Sequence, residues 1–227
     1  MERLFDLLTD FQGGGAFNQY RDVTTGFDLP HGAAVRRANL RRYLELFCGA
    51  VHVLAGEAAG YAGCRFSGIP FTGEAQLVGS DRLPWTCDAG FAQSSAGEPW
   101  RERSGTTVWE ALGQRRDCVL WNAFPWHPFG SKPLSNRRPR QTEMGQAREV
   151  LAHFLSLFPG TQVCAIGRVS QQALSVIGVE AHYIRHPSHG GKAAFLKGIA
   201  TLPVVSSRCK TLRAPVSGAS HAVNNRF

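Results

Sequence analysis

Three short apolar runs, each breaking off into a polar or turn-forming segment, constrain the fold of this chain more than any other feature. Val51-His52-Val53-Leu54-Ala55 passes into Gly56-Glu57-Ala58-Ala59-Gly60. Cys118-Val119-Leu120 passes into Trp121-Asn122-Ala123-Phe124-Pro125, and Ala181-His182-Tyr183-Ile184 is followed by His186-Pro187-Ser188. Short apolar runs bounded by Gly, Pro and Asn read as buried strands. A carboxylate, an amide and an imidazole then fall at strand ends, which is where ligands bind in an open α/β sheet.

Helical patterns lie between these runs. Residues 36–48 place Leu40, Tyr43, Leu44 and Phe47 at helical spacing, with Arg36, Arg37, Arg41 and Arg42 expected on the other faces. A short helix is expected at 107–114, ending near Gly113. A longer one is expected at 142–158, with Ala147, Val150, Leu151, Phe154 and Phe158 on one face and Pro159-Gly160 as its stop. A strand at 162–166, a helix at 169–177 and a helix at 191–201 complete the alternation. The pattern predicts an α/β fold, a three-layer α/β/α sandwich around a central, mainly parallel four-stranded sheet. Residues 61–106, rich in Gly, Pro and Ser, predict loop with short helical turns. From about Ser206 the periodicity stops. The chain therefore reads as one domain over 1–205, followed by a flexible basic tail over 206–227.

Lys and Arg exceed Asp and Glu by eight charges, and no acidic residue follows Glu180. This imbalance favours a polyanionic partner, although a basic tail can also be a solvated end. No apolar run approaches the ~20 residues that span a bilayer, and the N-terminus lacks a secretory apolar region. A soluble, cytoplasmic monomer that acts on the nucleoid and avoids membranes is expected. The cysteines at 48, 64, 87, 118, 164 and 209 form no C-x-x-C pair, so no metal site is expected. Cys118 and Cys164, inside apolar runs, read as buried small hydrophobes.

Each polar strand end has a chemical and a plain structural reading. Gly56 and its neighbours let backbone N–H groups approach a ligand, while Glu57 could act on a ligand or merely cap the next element. Phe71, in Gly68-Ile69-Pro70-Phe71-Thr72-Gly73, could stack on a flat base or fill the core. The Asn122 amide offers a donor and an acceptor that can read a pyrimidine edge, or it could tie down the following loop. His186 could donate to an oxyanion or serve structure alone. The loop His189-Gly190-Gly191-Lys192 and the stretch Ser135-Asn136-Arg137-Arg138-Pro139 suit a phosphate backbone.

Taken in order, these segments resemble the uracil-DNA glycosylase superfamily over about residues 50 to 200, most closely its thermophile-type (family 4) branch. Val163-Cys164-Ala165-Ile166-Gly167, followed by a short helix, fits the same pattern. The resemblance implies a DNA repair hydrolase. It would flip uracil, or another deaminated base, out of DNA and cleave the N-glycosidic bond to leave an abasic site. It implies that Glu57 positions or activates water and that His186 stabilises the departing base. It also implies that Phe71 stacks on the base and Asn122 reads it, with Gly56 and Ala58 contributing to the base pocket. Arg137, Arg138, Ser188, His189 and Lys192 would meet DNA phosphates, and no cofactor is expected. The chain departs from the branch by lacking a matching set of four iron–sulfur cysteines and by carrying Ala59 in place of a proline. Ala58 stands where other members place a catalytic Asp, and Gly60 where they place a blocking Tyr. A non-catalytic damaged-DNA-binding module of the same fold is the alternative. An unrelated α/β hydrolase or nucleotide-binding protein is disfavoured because there is no G-x-S-x-G elbow or Walker loop.

Overall fold

The computed structural model describes residues 1–205. In chain order its elements are α1 (Glu2–Asp10), β1 (Ala16–Phe17), α2 (Gly32–Leu46), β2 (His52–Ala58), α3 (Cys64–Ser67), α4 (Glu74–Leu77) and α5 (Arg103–Leu112). Then come β3 (Cys118–Phe124), β4 (His127–Pro128), α6 (Gln141–Ser156), β5 (Gln162–Ile166), α7 (Arg168–Val176), β6 (His182–Ile184) and α8 (Lys192–Ala200). The main sheet runs β3-β2-β5-β6 with every neighbouring pair parallel. β1 and β4 form a separate antiparallel pair. Among the described residues, no helix is long and apolar enough to cross a membrane.

Two adjacent residues of β3 tie the strand to neighbouring helices. Trp121 stacks on Phe154 of α6, with ring centroids 3.9 Å apart and planes at 8°. The backbone N–H of Leu120 donates to the Tyr43 hydroxyl of α2 at 2.6 Å. β3 is an edge strand, so this contact satisfies a backbone donor that has no ladder partner. On the α2 side, Trp109 of α5 packs on Trp85 and Phe47, at centroid distances of 5.0 and 6.1 Å. The result is the three-layer α/β sandwich expected from the alternation, with Cys118 and Cys164 buried in the core.

Some boundaries differ from the sequence reading. β2 continues through Gly56 and Glu57 to Ala58, because Gly56 and Ala58 stay paired with Asn122 and Phe124 of β3. α5 starts at Arg103, four residues before the expected 107. β4 lies inside the proline-rich connection between β3 and α6, for which no strand was expected. The tail expected over 206–227 lies outside the described residues.

Arg36 is the main correction within the core. It stands four residues before Leu40, on the same helical stripe as Tyr43 and Phe47, and it is fully buried. Its guanidinium donates to Asp28 Oδ1 at 2.9 Å, Ser94 Oγ at 3.1 Å, and the carbonyls of Gln19 and Asp22. Arg65 adds two bonds to the same Asp28 carboxylate. This buried cluster joins α2, α3 and the 22–28 loop through charges that the apolar pattern does not register.

Candidate active site

The C-terminal ends of the parallel strands open into a cleft. Its wall includes Glu57, Ala58, Ala59 and Gly60 after β2, Phe71 and Glu102 from the long β2–β3 connection, and Arg138 from the segment before α6. His186, Ser188 and His189 follow β6. β2 is the point of topological reversal. The chain leaves it toward β3 on one side, while β5 and β6 lie on the other, and such a crevice is the usual ligand position in this class of sheet.

Close packing fixes the floor. A Cβ on Gly56 would overlap the Phe71 ring and would lie 3.1 Å from Asn122 Oδ1. Glycine at this position lets ring, strand and amide come together. Phe71 holds a left-handed backbone with φ of 53°, a conformation that costs energy outside glycine. Asn122 is 2% exposed, and its Nδ2 has no hydrogen-bond partner. It lies at Gly56 beside Phe71 and is not part of the open cleft wall.

The imidazole is held in one orientation. Nδ1 of His186 lies 3.1 Å from the Ser188 backbone nitrogen and 2.7 Å from the Ser188 hydroxyl. A backbone N–H can only donate, so Nδ1 carries a lone pair and the neutral ring bears its proton on Nε2. Burial, with Arg185 and His189 adding repulsion, pushes the His186 pKa down to about 4. The ring is therefore an uncharged donor at neutral pH. The Phe71 and His186 ring centroids are 6.1 Å apart. A Cβ on Gly191 would overlap the His186 carbonyl, so the glycine loop following the motif lets the backbone fold back over it.

Two carboxyl groups line the cleft. Burial raises the Glu57 pKa above the ordinary carboxylate value, against the pull of the nearby Arg138 charge. Burial alone raises Glu102 to about 7. Glu102 lies in the stretch read as aperiodic loop and carried no motif to mark it. The only sequence signal was the pair Gly60 and Gly63, which leave the space its carboxyl group fills.

Several residues expected at DNA phosphates have other partners. Every N–H of the Arg137 guanidinium is committed. Nε donates to Phe129 O at 2.9 Å, Nη1 to Arg138 O and Glu143 Oε2, and Nη2 to Gly15 O and Glu143 Oε1. With five N–H groups in all, Arg137 clamps its loop to α6 and has no donor left for a phosphate. Lys192 pairs with Glu110 at 2.9 Å on the outer surface and does not line the cleft. Ser188 orients His186 and also approaches His189 Nδ1 at 3.0 Å. Arg138 and His189 are exposed at the cleft rim.

Among the described residues the donor set does not fit an iron–sulfur cluster. Cys64, Cys118 and Cys164 are buried free thiols and Cys87 is an exposed one. Among the described residues no three His, Cys, Asp or Glu side chains converge as ligands.

A parallel α/β sheet with carboxyl, imidazole and aromatic groups gathered at its strand ends defines a protein of the strand-end ligand-binding class. Residues 45–208 match the family model described as the Uracil DNA glycosylase superfamily, and the chain belongs to that superfamily. Membership makes it a DNA-acting glycosylase of repair, a hydrolase in general terms. No curated protein matches the chain.

Proposed function

We propose that this protein excises uracil from DNA by flipping the nucleotide into the cleft and hydrolysing its N-glycosidic bond. The observation that carries the reading is the neutral His186, locked with Nδ1 as acceptor and Nε2–H left to donate. Glycosidic cleavage passes through an oxocarbenium-like state, and the departing base gathers negative charge. A pre-oriented donor aimed at that charge stabilises the transition state more than the ground state. An uncharged imidazole does this by donating a hydrogen bond from Nε2–H, without transferring the proton.

The other roles follow from position. Phe71 supplies a flat face for the base. Asn122, reached from the cleft past that ring, offers its unpaired Nδ2–H to a carbonyl on the base edge. Gly56 and Ala58 bring backbone close to the base. Glu57 orients water and sets negative charge near the cationic sugar. Arg138 and His189 at the rim suit phosphates on either side of the flipped nucleotide, which gives salt-dependent affinity. Gly60 carries no blocking ring, and the Glu102 carboxyl group that stands over it is smaller than one, so the cleft also accepts other deaminated bases. The protein acts as a monomer in the cytoplasm, where its DNA substrate lies.

Incubation with a uracil-containing oligonucleotide, followed by alkali, tests the reading. Strand breaks at the uracil position are expected. Binding to that DNA with no break would establish the non-catalytic module instead.

A further inference from the structure

Glu102 immediately precedes α5 and lines the same cleft as Glu57, Phe71 and His186. Its carboxyl group lies over the turn that follows β2. Oε1 is 3.5 Å from the point where Gly60 would carry a Cβ, and a Cβ on Gly63 would overlap Oε2. Two glycines thus make room for one carboxyl group. Oε2 is shielded from solvent and has no hydrogen-bond partner. Buried polar atoms are normally satisfied, and an orphan at a functional cleft calls for an explanation.

The surrounding charges sharpen the point. Glu57 lines the same cleft from the end of β2, and the Cys64 thiol at the start of α3 lies near enough to feel the Glu102 charge. From the segment before α6 come Arg137 and Arg138, and from the loop after β6 come His186 and His189. Arg137 is neutralised by Glu143 at 2.6 Å, and Arg138 acts on Glu57. Burial alone sets the protonation of Glu102. Its pKa, about 7, suits a group that must take up a proton near neutral pH. Burial raises Glu57 too, but there the Arg138 charge works against the shift, whereas no such cation opposes it at Glu102.

Resting on the glycosylase reading above, we propose that Glu102 is the proton acceptor of the reaction, taking a proton from the water that attacks the sugar. The water oxygen bonds to C1′ as the C1′–N bond breaks. The electron pair of that bond leaves with the base, whose charge His186 meets. The released water proton passes to the Glu102 carboxylate and from there to solvent. Glu57 keeps its electrostatic and orienting role.

Single-turnover base release at saturating uracil DNA, followed from about pH 5 to pH 9, tests the assignment. A base must be ionised to act, so the wild-type rate is expected to rise with pH, to be half-maximal near 7, and to level off above. E102Q is expected to lose about tenfold or more in rate and to lose the rise, with DNA affinity and melting temperature unchanged. E57Q, though slower, is expected to keep it. A wild-type profile that is flat through pH 7, or an E102Q profile that retains the rise, overturns the proposal while leaving the glycosylase reading intact. Failure of the wild type to release uracil at all overturns both.

Discussion

The Ser188 backbone N–H points at Nδ1 of His186 from 3.1 Å, and this one contact decides which ring nitrogen can serve a ligand. With Nδ1 occupied as an acceptor, protonating the ring would set two hydrogens against each other. Burial and the neighbouring cations oppose that charge further. The first prediction is spectroscopic and kinetic. Nitrogen NMR is expected to show an unprotonated Nδ1 and a ring that titrates near 4, well below an ordinary histidine. His186→Ala is expected to lower single-turnover excision by about 10², the scale for removing one oxyanion donor, with little change in DNA affinity. A ring titrating near 6.5 would show that the neutral-donor geometry is not maintained.

Asn122 carries the second prediction. Its Nδ2 is buried without a partner, a state expected of a group that completes its bonding on a ligand. Asn122→Ala and Asn122→Asp should each alter the choice of base far more than binding to undamaged DNA. A site built around a hydrogen-bonding amide rejects an unsuitable edge because polar groups are left unpaired. Rates on uracil, cytosine and hypoxanthine substrates check this. Unchanged rates in both variants would reduce Asn122 to a loop anchor.

The sequence made the strand-end part of the site legible because its signals are local. Apolar runs followed by Gly56, Asn122 or His186 announce a strand and its exit together, and β2, β3, β5 and β6 all fall where those runs lie. Three features were not legible, each for the same physical reason. The burial of Arg36 depends on Asp28 and Arg65, which lie outside its helix. The fate of Arg137 depends on Glu143 and the distant Gly15, so a basic residue in a proline-rich loop reads as a phosphate contact until its partners are seen. The importance of Glu102 depends on the absence of side chains at Gly60 and Gly63, some forty residues earlier in the chain. Periodicity reports which face of an element is apolar. It does not report which charges neutralise one another across the fold.

The neighbours Arg137 and Arg138 should therefore separate cleanly. Arg137 is largely shielded and fully bonded within the protein, whereas Arg138 is exposed at the cleft rim. Arg138→Ala is expected to weaken binding to all DNA sequences and to reduce the salt dependence by about one unit of slope, with unchanged stability. Arg137→Ala is expected to lower the melting temperature instead, because it strips a buried carboxylate of its partner. Salt titrations of DNA affinity beside melting curves distinguish the two. A reduced salt slope in Arg137→Ala at unchanged stability would reverse the assignment.

Asp28 holds two guanidiniums that have almost no contact with water. Burial alone would push its carboxyl up, but hydrogen bonds and charge from Arg65 and Arg36, with the Thr24 N–H, outweigh this and hold its pKa below 3.8. Removing one member of such a cluster costs about 3–5 kcal/mol, since the remaining charges stay buried and uncompensated. Asp28→Asn is expected to lose stability on that scale in denaturant titrations. The sign with pH follows from the lowered pKa. The contribution is complete above the unfolded carboxyl value and is lost as pH falls through the folded value. The wild type should therefore lose stability more steeply than Asp28→Asn in the acid range below 3.8. Parallel acid-unfolding curves would contradict the assignment.

The last prediction concerns Gly56, where a single methyl group should separate folding from function. Gly56 lies within β2 and pairs with Asn122 of β3. Its backbone is not in the left-handed region that favours glycine, so alanine suits the strand itself. What alanine cannot do is leave the Phe71 ring in place, since the added Cβ would overlap its tip and would also crowd Asn122 Oδ1 at 3.1 Å. Phe71 has little freedom to retreat, because its own backbone is held at φ of 53° in the turn before α4. The strain falls on the two groups that would face the base. Gly56→Ala is expected to fold, to lose about 1–3 kcal/mol to overpacking, and to lose excision activity by far more than its loss of stability accounts for. Adding Phe71→Ala removes the clash, so the double variant is expected to regain stability without regaining activity. Unfolding and single-turnover measurements on both variants check the argument. Excision by Gly56→Ala at the wild-type rate would mean that the base binds elsewhere than against the Phe71 ring.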